Sequence, residues 1–236
     1  MSRLISMLQL SIQEPYIFLA KPAGIPSHAP NKGETGLVEE LSHYLKRPVY
    51  LVHRLDSATS GAMVMALSSQ SAANLALLFE RRLVHKRYCL VSDRPIPSQF
   101  PFGYSSHITK RRGRLVSWPR SDVPSRAVPN AFSVFYPVAR VAAYTRLEVE
   151  LLSGKSHQIR LHAKDLGFSL LGDDVHGGTK FSRLMLHATT LSWEEAPGVA
   201  AAAWQVQPPL PFMKLELCED PAQARALLAE SIFTES

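Results

Sequence analysis

Several short stretches of this chain combine residue types that could do chemistry. His53-Arg54-Leu55-Asp56-Ser57-Ala58-Thr59-Ser60-Gly61 sets a carboxylate among small hydroxyl residues and a glycine, which leaves open space beside Asp56. Ser153-Gly154-Lys155-Ser156-His157-Gln158-Ile159-Arg160-Leu161-His162 carries a guanidinium, and a guanidinium near a buried carboxylate keeps it ionised and oriented. Lys86-Arg87-Tyr88 adds an aromatic ring with a polar edge. Two further stretches hold an acidic pair (Gly172-Asp173-Asp174, then His176) and a histidine (Leu186-His187-Ala188). Taken alone, each has a plainer reading: Asp56 caps a turn, Arg160 holds a structural salt bridge, and Tyr88 is a core aromatic.

Other chemistries are excluded by spacing. Gly154-Lys155-Ser156 mimics the tail of a phosphate-binding loop, but position 149 is Val where that loop needs glycine. His157 and His162 are five apart, which does not place both on one helical face, so no metal site is expected. Ser60 has Ala58 and Ala62 where a nucleophile elbow needs glycines. Cys89 and Cys218 are remote in sequence and neither lies in a CxxC pair.

The elements that must position these residues follow from periodicity. Strands are expected at 16–20, 49–52, 62–67, 86–92, 144–152 and 184–193. Helical spacing is found at 37–45, from Ser69 to about Phe79, at 156–166 and at 221–230. The Asp56 stretch therefore connects two strands, and loops on rigid scaffolds are where reactive groups sit. Residues 94–130 are rich in Pro and Arg with little periodicity, and read as a mobile basic insertion. Strands and helices mix without strict alternation, which favours an α+β fold.

The composition is that of a globular protein: 236 residues, 46% hydrophobic and 19% charged. Met1 to Ile12 is broken by Ser6 and Gln9 and lacks a long apolar region, so a cytoplasmic protein with reduced thiols and no membrane association is expected. The net charge of +6 is unevenly placed. Residues 81–126 hold eleven basic and two acidic residues, a local charge of +9, against −3 for the rest of the chain and −5 for residues 194–236 alone. The densest run, Lys110-Arg111-Arg112-Gly113-Arg114, points to a surface that tracks phosphates.

Taken in order over roughly residues 15–215, these segments resemble the RluA-type pseudouridine synthases. Lys21-Pro22-Ala23-Gly24 with His28 is similar to the family's first motif, and His53-Arg54-Leu55-Asp56 with Thr59-Ser60-Gly61 to the second, which holds the catalytic aspartate. Lys86 with Tyr88, Gly154 with His157-Gln158-Ile159-Arg160, Gly172-Asp173, and Leu186-His187-Ala188 match the motifs that follow. Lys155 stands where the family usually has arginine, which keeps the charge but loses the bidentate fork. His176 stands where many members carry tyrosine and, with Arg183 to His187, leans toward the tRNA-modifying branch.

The resemblance implies an α+β fold with a mixed, mainly antiparallel sheet in two lobes flanked by helices, and a basic active-site cleft. It implies one catalytic domain over 1–236, without an S4-like N-terminal module. It also implies the isomerisation of a uridine in tRNA or 23S-type ribosomal RNA to pseudouridine, with no cofactor, no metal and no obligatory protein partner; a monomer is the default. Asp56 would be the nucleophile, Arg160 its cationic partner, and Tyr88 the platform for the uracil. Ile159 and His187 would complete the uracil pocket. Arg54 would enter the RNA stack in place of the flipped nucleotide, with His53, Lys86, Lys155, Lys110, Arg111, Arg112 and Arg114 along the RNA. A non-catalytic RNA-binding or chaperone protein on the same scaffold is the alternative; the intact trio of Asp56, Tyr88 and Arg160 speaks against it.

Overall fold

The computed structural model describes residues 8–31, 33–96, 101–122, 127–141 and 144–209, together with Ile5 and Phe212. The helix expected over 221–230 lies outside the described residues, as do Cys218 and Arg126. The chain forms two compact units, one from Met1–Lys86 and His187–Gln207, the other from Arg87–Leu186 and Pro208–Ser236.

The first unit is organised by strand β4 (Ser60–Ala66), in which every residue is buried. A strand covered on both faces has no polar side to show, so its sequence is a continuous apolar run rather than an alternation. It pairs antiparallel with β2 (Tyr16–Lys21), which pairs in turn with β1 (Leu10–Gln13). The short β3 (Tyr50–Leu51) also joins β4. On β4's other side β10 (Leu186–Trp193) runs parallel, with His187 opposite Ser60 and Ala188 opposite Gly61, and β11 (Ala202–Gln205) closes on β10. Gly61 has φ +115°, and a Cβ there would run into the Ala188 carbonyl, so the close approach of β4 to β10 requires glycine.

Helices α1 (Leu37–Leu45) and α2 (Ser69–Glu80) belong to this unit. Helix α1 starts where the Glu39 carboxylate accepts the Gly36 and Ala29 amides. Helix α2 is capped by Ser68, one residue before the expected Ser69, and buries Leu75 and Leu78. Phe18 lies between Trp193 and Trp204, at 5.9 and 5.8 Å between ring centroids.

The second unit is a run of antiparallel strands in the order β5 (His85–Val91), β9 (Tyr144–Leu151), β8 (Ala131–Val141), β6 (Phe102–Arg111) and β7 (Arg114–Pro119). Helix α3 (Gln158–Asp165) buries Leu161 with Ile108 and Ala131. A second cluster holds Cys89, Val91, Tyr144, Leu171, Met185 and Phe212.

Where an irregular stretch was expected over 94–130, residues 102–119 form the β6–β7 hairpin. Its turn, Arg112-Gly113, has φ of 49° and 82°, the positive pair that a two-residue hairpin loop needs. An arginine at the first of these positions hides a signal that Asn or Asp would give. Strand β8 contains Pro137, which removes a ladder donor, and the pairing accommodates it with a bulge between Pro137 and Ala139. Among the described residues no helix is long and apolar enough to cross a membrane.

Candidate active site

Asp56 sits in the loop between β3 and β4, in the first unit. That loop is fastened through its backbone. The Lys21 ammonium, 1% exposed, donates to the carbonyls of Pro22 (2.8 Å), Ile25 (2.6 Å) and Ser57 (3.0 Å). The Gly24 amide donates to the same Ser57 carbonyl at 2.8 Å, and the Ser57 hydroxyl donates back to the Gly24 carbonyl. On the other side of Asp56, the buried Ser27 hydroxyl donates to the Leu55 carbonyl and accepts the Leu55 amide. The Asp56 carbonyl accepts the Thr59 amide at 3.0 Å, which closes a turn. Asp56 is half-buried, and Arg54, two residues earlier, is exposed.

His53, expected along the RNA, is half-buried in the first unit. Its Nε2 accepts the Val64 amide at 3.1 Å, and its ring stacks on Phe79 at 4.6 Å. Burial, reinforced by the charge of Lys86, pushes its pKa down to about 3, so the ring is neutral and acts as an acceptor that pins the loop to β4. Lys86 is itself buried, and burial with the nearby Arg82 lowers its pKa. His187 is 3% exposed, and its Nδ1 lies 2.8 Å from the Ser60 hydroxyl, in the same unit as Asp56.

The second unit carries Tyr88, Ile159, Arg160, Lys155 and the basic hairpin. Tyr88 is 8% exposed on β5, opposite Val149 of β9, and Arg87 next to it is exposed. Ile159 is buried on the first turn of α3. Lys155 is exposed, just before that helix.

Arg160, expected to partner Asp56, has a bidentate partner within its own unit that sequence reasoning missed. Its Nε donates to Asp173 Oδ2 at 2.8 Å and its Nη2 to Asp173 Oδ1 at 2.6 Å, with side chains 5% and 0% exposed. Burial opposes ionisation of Asp173. The hydrogen bonds and charge of Arg160, aided by His176, outweigh it and hold the carboxyl below its ordinary range. Asp173 Oδ1 also accepts the Val175 and His176 amides. Gly172 makes this loop possible: its φ is +79°, and a Cβ would strike the Arg183 carbonyl. The signal for this partner was the Gly172-Asp173 pair, which the sequence reading placed in a motif without a role.

The rest of the His157-Gln158 motif is structural. Gln158 Oε1 accepts the Ser153 hydroxyl and the Lys155 amide, while its Nε2 donates to the Phe132 carbonyl and the Ser133 hydroxyl. One side chain thus fixes the loop before α3 to β8. His162, fully buried, lies between the hydroxyls of Ser106 (3.0 Å) and Ser133 (2.9 Å), and burial pushes its pKa down to about 4. The Ser117 hydroxyl of β7 bonds both Asp165 Oδ2 (2.5 Å) and Ser106. The β6–β7 hairpin is therefore bolted to α3, and Lys110, Arg111, Arg112 and Arg114 at its tip are all exposed.

Among the described residues no group of three or more His, Cys, Asp or Glu side chains could hold a metal ion.

Residues 15–165 match the RNA pseudouridylate synthase family. The chain is 32% identical over 182 residues to an uncharacterized RNA pseudouridine synthase of Haemophilus influenzae, covering 76% of this chain and 78% of that protein. It is 30% identical over 206 residues to tRNA pseudouridine synthase C of Yersinia pestis, covering 78% and 80%. Its fold is similar to that of human RNA Pseudouridylate Synthase Domain Containing 1, with a TM-score of 0.72 at 20% identity over 94% of this chain and 95% of that one. By the match over residues 15–165 and the identity to these relatives, the chain belongs to the RNA pseudouridylate synthase family, enzymes that isomerise uridine in RNA.

Proposed function

We propose that this enzyme isomerises a specific uridine in a structured RNA, with Asp56 as nucleophile. The observation that carries this reading is the backbone fastening of the Asp56 loop by Lys21 and Ser27, which presents one carboxylate in a fixed place. In the reaction the N1–C1′ bond breaks with its electron pair on the uracil. The base turns, a C5–C1′ bond forms, and the C5 proton is lost as N1 gains one. No oxidant or reductant takes part.

In this reading Asp56 acts as a carboxylate at the ribose or the base, with Arg160 as the cation that favours its charged form. Tyr88 is the aromatic platform for the uracil, worth about 1–3 kcal/mol for a stacked base. Ile159 and His187 complete the uracil pocket. A uridine inside a folded RNA must leave its stack, at a cost of about a few kcal/mol. Arg54 takes the vacated place, while Lys155 and the hairpin tip hold phosphates. Relatives named tRNA pseudouridine synthase C favour tRNA as the substrate. His53, half-buried and accepting the Val64 amide, supports the Asp56 loop in this scheme.

The test is tritium release from RNA labelled at uridine C5, with Asp56→Asn as the variant. The expected result is retained folding and RNA binding with no release. Release at the wild-type rate from that variant would remove Asp56 from the mechanism.

A further inference from the structure

Two histidines of the second unit meet outside every role assigned above. His157 Nδ1 lies 2.9 Å from His176 Nε2, with the rings perpendicular and their centroids 5.1 Å apart. Each is attached to one half of the Arg160–Asp173 pair. His157 immediately precedes α3, whose first turn carries Arg160, and it has the left-handed backbone φ 54°, ψ 19°. Few residues other than glycine adopt that conformation, and those that do are held there by their surroundings. His176 belongs to the loop that presents Asp173: its amide donates to Asp173 Oδ1 at 3.1 Å, and its carbonyl accepts the Ser169 hydroxyl at 3.3 Å.

We propose that His157 and His176 are positioning residues for Arg160, their ring-to-ring hydrogen bond tying the start of α3 to the Asp173 loop so that the guanidinium keeps one orientation during turnover. The Arg160–Asp173 fork fixes the guanidinium only relative to Asp173; a second tie is needed to fix the loop relative to the helix. A bond between two imidazoles requires that at least one ring be neutral. Burial is the main cause that pushes His176 down to about 4, with Arg160, His157 and Lys164 acting in the same sense and Asp173 against it. The bond is thus available at neutral pH. The proposal rests on the reading that Arg160 serves the chemistry at Asp56.

The experiment compares tritium release by His176→Phe and His176→Gln, using total RNA labelled at uridine C5 from cells lacking the enzyme. Phenylalanine keeps the ring volume and removes the hydrogen bond. Glutamine places an amide group near the former Nε2 and can keep it. His176→Phe is expected to lose about 10- to 100-fold in kcat with little change in KM, as a misplaced catalytic group does. His176→Gln is expected to stay within about three-fold of wild type, because the bond and with it the geometry persist.

Should His176→Phe fail to fold, His157→Ala against His157→Asn gives the same comparison, because asparagine tolerates the left-handed backbone and offers a polar group at the Nδ1 position. Wild-type kcat in the bond-deleting variants, or equal losses in deleting and retaining variants, would overturn the proposal. Asp56→Asn in the same assay separates the two levels. If it is dead while His176→Phe is fully active, only the positioning role fails. If it is active, the reading of Asp56 fails first.

Discussion

The loop that carries Asp56 and the loop that carries Asp173 are both held rigid, but by different means. Around Asp56 the fastening runs to backbone: the Lys21 ammonium and the Ser27 hydroxyl bond carbonyls at Pro22, Ile25, Leu55 and Ser57. Around Asp173 it runs to a side-chain charge, the bidentate Arg160 guanidinium, with two backbone amides behind it. Carbonyls do not titrate and carboxylates do. The fastening of the first loop therefore does not titrate, as suits the nucleophile proposed for Asp56. In the second loop the charge is the structure, and removing it removes the geometry.

That contrast can be broken in graded steps. The largest effect is expected from Asp56→Asn: tritium release disappears while the thermal midpoint stays near wild type, since Lys21 and Ser27 hold the loop through its backbone. Asp173→Asn should show chiefly in stability. It breaks the buried bidentate pair with Arg160, and denaturant unfolding should show a loss of about 3–5 kcal/mol.

Lys21→Met is expected to cost about 1–3 kcal/mol in the same measurement, because three part-buried hydrogen bonds to carbonyls are lost, and these contacts do not titrate between pH 4 and pH 6. The Asp173 contribution should instead depend on pH. Its folded pKa is depressed, so its stabilisation is present above the ordinary carboxylate range and lost as pH falls below it.

A pH-dependent effect separates the histidines. His162 and His176 are held down to about 4, and His53 to about 3, so below their ordinary value of 6.5 the unfolded chain binds protons that the folded chain refuses. Stability should fall as pH drops from 6.5 toward 4, by up to about 1.4 kcal/mol per pH unit for a fully buried ring. His162→Gln should flatten that limb in a series of unfolding curves. The smallest effect on the folded protein is expected from neutralising Lys110, Arg111, Arg112 and Arg114 together. Stability should be unchanged, while the log–log salt dependence of RNA binding loses about 0.7–0.9 for each phosphate contact removed. An unaltered salt slope would place the hairpin tip away from the RNA.

The sequence made most of the regular elements legible. The apolar run at 62–67, the alternation at 144–152 and the helical spacing at 37–45 each correspond to an element within one or two residues. These are segments where burial alone dictates the pattern. The β6–β7 hairpin was not legible, because its exposed basic residues mask the alternation and Arg112 takes a turn position usually marked by Asn or Asp. Strand β8 was missed because Pro137 argues against a strand until the bulge is seen.

The types and order of Asp56, Tyr88 and Arg160, the residues proposed for the chemistry, could be read from motifs. The supporting shell could not: Lys21 to three carbonyls, Gln158 to four groups and Asp173 to Arg160 are contacts between residues distant in sequence or aimed at backbone, for which composition carries no trace.

The hairpin tip, proposed to hold phosphates, has a consequence for how the arm can be altered. Strands β6 and β7 stay paired out to Arg111 and Arg114, and open space surrounds the Gly113 position. Because side chains alternate with a period of two, adding or removing one residue on each strand keeps the turn type but swaps the faces, and two on each strand restores them. The fasteners Ser106, Ser117, His162 and Asp165 lie back from the tip and would not move. The reach and charge of this arm can therefore be retailored in paired steps, leaving the helix that carries Arg160 in place.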